Sequence, residues 1–424
     1  MIIENMNELA MIIFGVLAIL VIYPTLKVLN FISLFHSPSL EPVQDEALPK
    51  AAIVLSLRGA DPFLTDCVHA LLNQNYPQYK VHIVIDSQED PAWKIVNDTI
   101  LQEQAINVQV NPLIFRHDTC SLKCSALVQA ISQLDDSYEV VALLDADVVA
   151  HPNWLRELVA PLADNQVGAT TGNRWYIPQI GKWGSLVRYM WNAAAVIFMY
   201  IYQCPWGGSM ALKLSVLRKA QLLETWKQGV SVDTPIHKAL REIGLKVKFV
   251  PSVMMSNREE CNFAQCLRFI TRQLLVARLY NPNWIVIASA VFISTLALLM
   301  IPPMLLFALI NSNFDTAILI VGGAVSYILG MALLLALGEQ GVRRVLRDRG
   351  EPTESYSVLM MAKILIAIPL TQLVYAVTTI SAILAQSVEW RGITYQIKDA
   401  WNIRLTKYYP YQNSNKPLDT NVSL

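Results

Sequence analysis

The chain has 424 residues, 54% of them apolar and only 16% charged, with a mean hydropathy of +0.38; soluble globular proteins carry roughly 25% charged residues. Such a composition describes an integral membrane protein and excludes a solvated, disordered chain. Lys+Arg and Asp+Glu balance at 33 each, so no net field gathers nucleic acid, and no nucleic-acid partner is expected.

The first apolar run, Met11 to Leu26, follows Glu4 and Glu8 and precedes Lys27. That order is the reverse of a signal peptide's basic leader, and no small-x-small cleavage site follows in Phe31 to Leu40. The run reads as an uncleaved anchor with its N-terminus outside and its C-terminal end in the cytosol. The six cysteines, Cys67, Cys120, Cys124, Cys204, Cys261 and Cys266, form no Cys-x-x-Cys pair and have no histidines at zinc spacing. They read as reduced, mostly buried thiols, consistent with a cytosolic middle domain.

From about Pro49 to Asn283 the chain is long enough for one domain with its own core. It opens with a buried-strand run, Ala51 to Leu57, and breaks at Gly59-Ala60-Asp61-Pro62. A helical stretch from Phe63 to Gln74 follows, with Leu64, Cys67, Val68, Leu71 and Leu72 at helical spacing. Val81–Ile85 and Val140–Leu144 are further strands, each running into an aspartate. Strands alternating with helices imply a mostly parallel sheet, whose ligands gather at the carboxyl ends of the strands. Asp86, Asp145 and Asp147 stand there.

Leu186 to Pro205 is apolar but interrupted by Arg188, Asn192 and Gln203. With Trp191, Tyr200, Tyr202 and Trp206 as interfacial residues, it reads as a helix near the headgroups rather than a crossing. Phe263 to Tyr280, with Arg268 and Arg272 one turn apart, reads as a basic amphipathic helix in the interface. Three later segments, Trp284–Ile310, Ala317–Leu337 and Val358–Leu384, can each cross a bilayer. Arg343 to Arg349 between the last two reads as a cytosolic basic loop.

Two carboxylates one residue apart at a strand end, Asp145-Ala146-Asp147, can hold a divalent cation whose remaining positions go to water and phosphate; a solvated strand end has the same pattern. Asp233 stands before a helical stretch around His237 to Ile243. It can cap free backbone N–H groups there, or act as a base if an acceptor hydroxyl comes within hydrogen-bond reach. Gly207 and Gly208 allow close backbone approach to a ligand or simply make a tight turn. The six scattered histidines are given no role.

Leu57-Arg58-Gly59-Ala60-Asp61-Pro62, Gln74-Asn75-Tyr76-Pro77, Asp86 with Glu89-Asp90-Pro91-Ala92, Lys123-Cys124-Ser125-Ala126-Leu127, the Asp-Ala-Asp element, Trp206-Gly207-Gly208-Ser209, Asp233 and the late Trp390-Arg391-Gly392-Ile393-Thr394-Tyr395 together resemble the ceramide glucosyltransferases and their bacterial relatives within glycosyltransferase family 2. The resemblance runs over about Pro49 to Pro282 plus the tail motif. It implies a GT-A fold, a cytosolic active site and a UDP-sugar donor. Asp86 would contact the uridine, with Asp90 as the alternative, and the Lys123 element would help to bind the donor. Asp145 and Asp147 would hold Mg²⁺ or Mn²⁺ and the diphosphate, Gly207 and Gly208 would line the sugar or acceptor site, and Asp233 would be the base of an inverting displacement.

The sequence departs from that pattern in two places: Val232 stands where the family often has an acidic residue before the base, and the interfacial-helix element is altered. The family's Gln/Arg-x-x-Arg-Trp element aligns with Arg272-Gln273-Leu274-Leu275-Val276, so Arg272 keeps the first position while Leu275 and Val276 replace the arginine and tryptophan. Arg268, Arg272 or Arg278 could compensate. The tail poses a further conflict, because three full crossings would place Trp390-Arg391-Gly392 on the far side from Asp233. A re-entrant or broken segment, Trp284–Ile310 at Pro302-Pro303 or Val358–Leu384 at Pro369, would relieve it.

The expected plan is an α/β GT-A domain with an N-terminal anchor helix and C-terminal transmembrane helices: an anchor over 1–35, the catalytic domain with interfacial helices over 36–283, transmembrane segments over 284–387 and a tail over 388–424. The expected activity is metal-dependent, inverting hexosyl transfer, of glucose in the first instance, from a UDP-sugar to the hydroxyl of a membrane lipid such as ceramide, diacylglycerol or a polyprenoid alcohol. A processive polysaccharide synthase and a silent nucleotide-binding scaffold are the alternatives, and the sequence leaves oligomeric state open.

Overall fold

The computed structural model describes residues 2–35, 44–353 and 355–411. After helix α1 (Ile2–Leu34) come β1 (Ala51–Leu57), α2 (Leu64–Leu72), β2 (Tyr79–Ile85), α3 (Pro91–Glu103), β3 (Val108–Pro112), α4 (Leu122–Ser132), β4 (Val140–Leu144), α5 (Trp154–Val159), β5 (Val167–Thr171) and β6 (Arg174–Tyr176). Then follow α6 (Trp183–Ile201), β7 (Ser209–Lys213), α7 (Leu214–Lys219), α8 (Leu222–Trp226), α9 (Thr234–Glu242), β8 (Lys246–Phe249), β9 (Met255–Asn257) and α10 (Phe263–Tyr280). Three long helices, α11 (Trp284–Ile310), α12 (Phe314–Asp348) and α13 (Val358–Leu384), precede the tail strands β10 (Ser387–Trp390), β11 (Ile393–Asp399) and β12 (Asn402–Lys407).

Seven strands form one sheet in the order β3-β2-β1-β4-β7-β5-β8, parallel throughout except at β7, which is antiparallel to both β4 and β5. Because successive side chains point to opposite faces, Ile53, Leu55 and Leu57 pack with Leu64, Val96 and Trp154 on one face, while Ala52 and Val54 pack with Leu127, Trp226 and Ile236 on the other. The sheet is thus covered on both sides, as continuous apolar strands require. β7 begins where β4 ends, with Ser209 opposite Leu144. The residues before β7 therefore lie beside those after β4, and this juxtaposition builds the site.

Among the described residues, four helices are long and apolar enough to cross a membrane: Met6–Leu34, α11, α12 and α13. The α6 segment is not among them. α1 and α12 run side by side in the same direction. Near their N-termini Asn7 Oδ1 accepts a hydrogen bond from Asn313 Nδ2 at 3.1 Å; further along, a Cβ on Gly330 would come within 2.6 Å of Val21, and one on Gly341 within 2.9 Å of Phe35. Small residues let the two backbones approach, as in membrane helix pairs generally. Arg343 to Asp348 lies in the last turns of α12 and not in a loop, a correction with a plain cause: no Gly or Pro interrupts the chain after Gly341 until Gly350 and Pro352. The end of α12 is tied to the sheet domain through Arg349 Nη1, which donates to Met254 O at 2.7 Å.

Neither α11 nor α13 is broken: each is one helix through its prolines. What differs is where α13 lies. Near its start Lys363 Nζ donates to Gly181 O at 3.5 Å, in its middle Gln372 Nε2 donates to Ser294 Oγ of α11 at 2.6 Å, and past its end Arg278 Nη2 donates to Ala385 O at 2.9 Å. Both ends are thus held by the sheet domain and its helices, so an unbroken α13 brings the tail back to that domain. Met361, Leu365, Val377, Ile380 and Leu384 leave an exposed apolar stripe along it. Asn311→Cys, in the turn between α11 and α12, and Ser387→Cys are therefore expected to react with a membrane-impermeant maleimide from opposite faces. The native cysteines are all buried, so background is low; labelling of both positions from one face would mean that α13 crosses. α6 and α10 pack along α13, which buries Trp191 against Phe269 and Tyr375 and removes it from the interfacial role that composition suggests.

The tail strands form an antiparallel sheet whose Ile393, Tyr395 and Ile403 join the core on the α4 face. Tyr395 Oη accepts from the Leu122 amide at 3.1 Å, one of the free N–H groups that open α4. On the same face His82 lies edge-on to Tyr138, and its Nε2 has no hydrogen-bond partner among the described residues. Burial lowers its pKa from 6.5 to about 4. With the folded pKa below the unfolded one, the unfolded chain takes the proton first, so this contribution to stability is complete above about pH 6.5 and falls as pH drops toward 4. Thermal midpoints across that window are expected to fall less steeply for His82→Leu than for the native protein; parallel curves would refute this.

Candidate active site

A cavity of ≈ 190 Å³ opens at the carboxyl ends of β1, β2 and β4 and is closed by α10 and the tail. Asp145 and Asp147 line it directly after β4. Lys123, in the first turn of α4, is ion-paired with Asp145. Arg174, opening β6, donates to Asp147 Oδ2 at 2.6 Å. Burial disfavours both charged carboxylates. Lys123 nonetheless holds Asp145 below the ordinary carboxylate range, whereas for Asp147 burial and the charge of Asp145 outweigh Arg174 and keep it above. Asp147 Oδ1 is buried with no hydrogen-bond partner among the described residues.

Asp233 caps α9 and also faces the cleft. Its Oδ1 accepts from the Thr234 amide at 2.7 Å and from Ser231 Oγ at 2.6 Å, while its Oδ2 accepts from the Gly207 amide at 2.9 Å. A carboxylate oxygen accepts two hydrogen bonds, so Oδ2 keeps a free lone pair. Gly208 O in turn accepts from the Asp145 amide at 3.2 Å. A Cβ at Gly208 would lie 2.7 Å from Asp145 Oδ2, and one at Gly207 would lie 2.9 Å from Val232. Side chains crowd both positions: at Gly208 the Trp206 ring is nearer still, at 2.2 Å, and at Gly207 Asp233 Oδ2 follows Val232 at 3.3 Å.

At the other end, Asp86 follows β2 and is sealed: Arg58 is ion-paired with it, Arg116 stands 3.5 Å from Oδ1, and Tyr408 Oη donates at 3.1 Å. Asp90 does not line the cavity. It caps α3 through the Ala92 amide at 2.9 Å and holds the Gly59 amide at 2.9 Å.

Arg272 reaches the cavity from α10 and makes no ion pair among the described residues; its guanidinium lies 4.8 Å from the Trp390 ring. Burial, together with the like charges of Arg174 and Arg391, lowers its pKa to about 10. Arg268 is exposed away from the cavity, and Arg278 is spent on the Ile383 and Ala385 carbonyls at the end of α13. Leu275 and Val276 line the same wall. Sequence reasoning assigned no role to Arg174, Asp61 or Arg391. Arg174 belongs to no motif, while the other two lie in quoted motifs whose contact spans 330 positions.

The family model of glycosyl transferase family 21 matches residues 11–403. Among curated proteins, a ceramide glucosyltransferase of Pyricularia oryzae is 26% identical over 153 residues, 33% of this chain and 29% of that protein. One from Candida albicans is 24% identical over 141 residues, 31% and 26% of the respective chains. The chain thus spans less than a third of the length of either relative. Among solved structures, the mannosyltransferase PcManGT from Pyrobaculum calidifontis, in complex with GDP-Man and Mn²⁺, aligns over 88% of this chain and 96% of its own at 14% identity and a TM-score of 0.48. GalNAc-T7 with UDP, GalNAc and Mn²⁺ aligns over 52% and 45% at 16% identity and a TM-score of 0.39. With the family match running from α1 to the tail strands, the chain belongs to glycosyl transferase family 21.

Proposed function

We propose that this cleft moves a hexose, glucose in the first instance, from a UDP-sugar to a hydroxyl of a membrane lipid, with inversion, on the cytosolic face of the bilayer. The observation that carries the reading is the Gly207-Gly208 link, which sets Asp233 on one side of a cleft and Asp145 with Asp147 on the other, with the unpaired Arg272 between wall and tail.

Asp145 and Asp147 fit a divalent cation, Mg²⁺ or Mn²⁺: two carboxylates at a strand end, one with a buried oxygen that no described residue satisfies. Such an ion, when bound, offsets the charge that develops on a departing diphosphate. The rest falls to the chain's own side chains. Lys123 and Arg174 fix the two carboxylates, and Arg272 offers a full positive charge to the phosphates in a site where water screens it little. Asp86, with Arg58 and Tyr408, stands at the nucleoside end. The acceptor hydroxyl gives its proton to Asp233 Oδ2 as its oxygen attacks the anomeric carbon from the face opposite the nucleoside diphosphate, which leaves with the bonding electrons.

The names of the two fungal relatives make glucose and ceramide the first sugar and acceptor to try, and the exposed stripe of α13 supports a lipid that arrives from the bilayer. Product mass spectrometry after incubation with UDP-hexoses, mixed membrane lipids and Mg²⁺ or Mn²⁺ tests this. A lipid gaining one hexose is expected. Long hexose chains would identify a processive synthase, and nucleotide binding without product would identify a silent scaffold.

A further inference from the structure

Helix α10 lacks the arginine and tryptophan expected at Leu275 and Val276, yet the same wall of the cleft contains one of each from another part of the chain. Trp390 ends β10 and Arg391 opens the turn to β11, and both line the cavity. Arg391 adopts a positive φ of 49°, a conformation few non-glycine residues take and one that local sequence does not favour. It is held there by two contacts: Nη1 donates to Arg58 O, and Nη2 reaches Asp61 Oδ1 at 2.9 Å and Oδ2 at 2.8 Å. Arg58 Nε donates back to Arg391 O at 3.0 Å. The β1 end and the tail turn are thus clasped in both directions.

This clasp leaves the guanidinium partly open to the cleft, close enough to Asp145 and Asp147 for its charge to act on both carboxyls. Trp390, beside it, packs against the same apolar cluster as Val276 and presents its ring to Arg272. A guanidinium stacked on an indole loses freedom and keeps its hydrogen-bonding fork available. Two arginines on adjoining walls, one clasped by a carboxylate and one stacked on tryptophan, are suited to an extended dianion such as a diphosphate.

Resting on the sugar-nucleotide reading above, we propose that the C-terminal sheet is a working wall of the donor site: Arg391 contacts the diphosphate directly, and Trp390 is the positioning residue that holds Arg272 beside it. The tail thereby brings a cation and a ring to the cleft, where α10 presents Leu275 and Val276.

The full-length protein in nanodiscs would be titrated calorimetrically with UDP, GDP and the matching monophosphates in the presence of Mn²⁺. Arg391→Gln is expected to weaken diphosphate binding about ten- to a hundredfold, the worth of one charge-assisted contact, while the monophosphate constant shifts by less than about threefold. Trp390→Leu is expected to weaken diphosphate binding in the same selective way, with an unchanged melting temperature. Unchanged diphosphate affinity in Arg391→Gln overturns the proposal. So does an equal loss of mono- and diphosphate, which marks a structural clasp only. A native protein that binds neither diphosphate overturns the sugar-nucleotide reading and this proposal with it, so the two failures are told apart by the native titration.

Discussion

Asp233→Asn is expected to lower kcat for hexosyl transfer by about 10²–10⁴-fold, the usual contribution of a positioned base, while UDP affinity stays within about twofold. The substitution keeps the size of the side chain and removes the proton acceptor. It has a structural cost that the hydrogen bonds make explicit. Both carboxylate oxygens accept from backbone amides, Thr234 on one side and Gly207 on the other, and an asparagine presents an NH₂ to one of them. One amide is left facing a donor, which costs about 1–3 kcal/mol of stability. Melting temperature must therefore be read beside rate: a folded variant that binds UDP and does not turn over supports the base, and one that turns over normally removes Asp233 from the chemistry.

Asp147→Ala is expected to abolish the gain in UDP affinity that Mg²⁺ or Mn²⁺ gives the native protein. Losing a partner that merely orients a metal ligand costs ten- to a hundredfold in metal affinity, so losing a ligand itself should cost at least about a hundredfold. The native protein stripped with a chelator should then match the variant. The variant also frees Arg174 from its 2.6 Å contact, and a freed arginine could strengthen metal-free UDP binding; this is why the comparison is made with and without ion. If the native and variant proteins respond alike to added Mn²⁺, Asp147 holds no metal.

The elements that carry Asp86, Asp145 and Asp147 were legible because strands buried on both faces are written as unbroken apolar runs, and the polar residue that ends each run falls at the sheet edge. The cap at Asp233 was legible from its place before a helix, and the structure places it facing the cleft as well. Asp90, which the resemblance offers as the alternative uridine contact, caps α3, a place that an Asp-Pro pair also suits.

By itself, the sequence determined what depends on near neighbours: apolar periodicity, helix starts, glycines where backbones meet, and four helices apolar enough for a bilayer. Tertiary structure alone decided what depends on which surfaces are buried together. It placed the antiparallel β7 against β4, brought Arg174 to Asp147, tied both ends of α13 to the sheet domain, and carried Arg391 across the chain to Asp61. Those pairings arise because the tail strands and α13 bury their apolar faces on the domain, and the polar residues beside them must then find partners at whatever distance in sequence those partners lie.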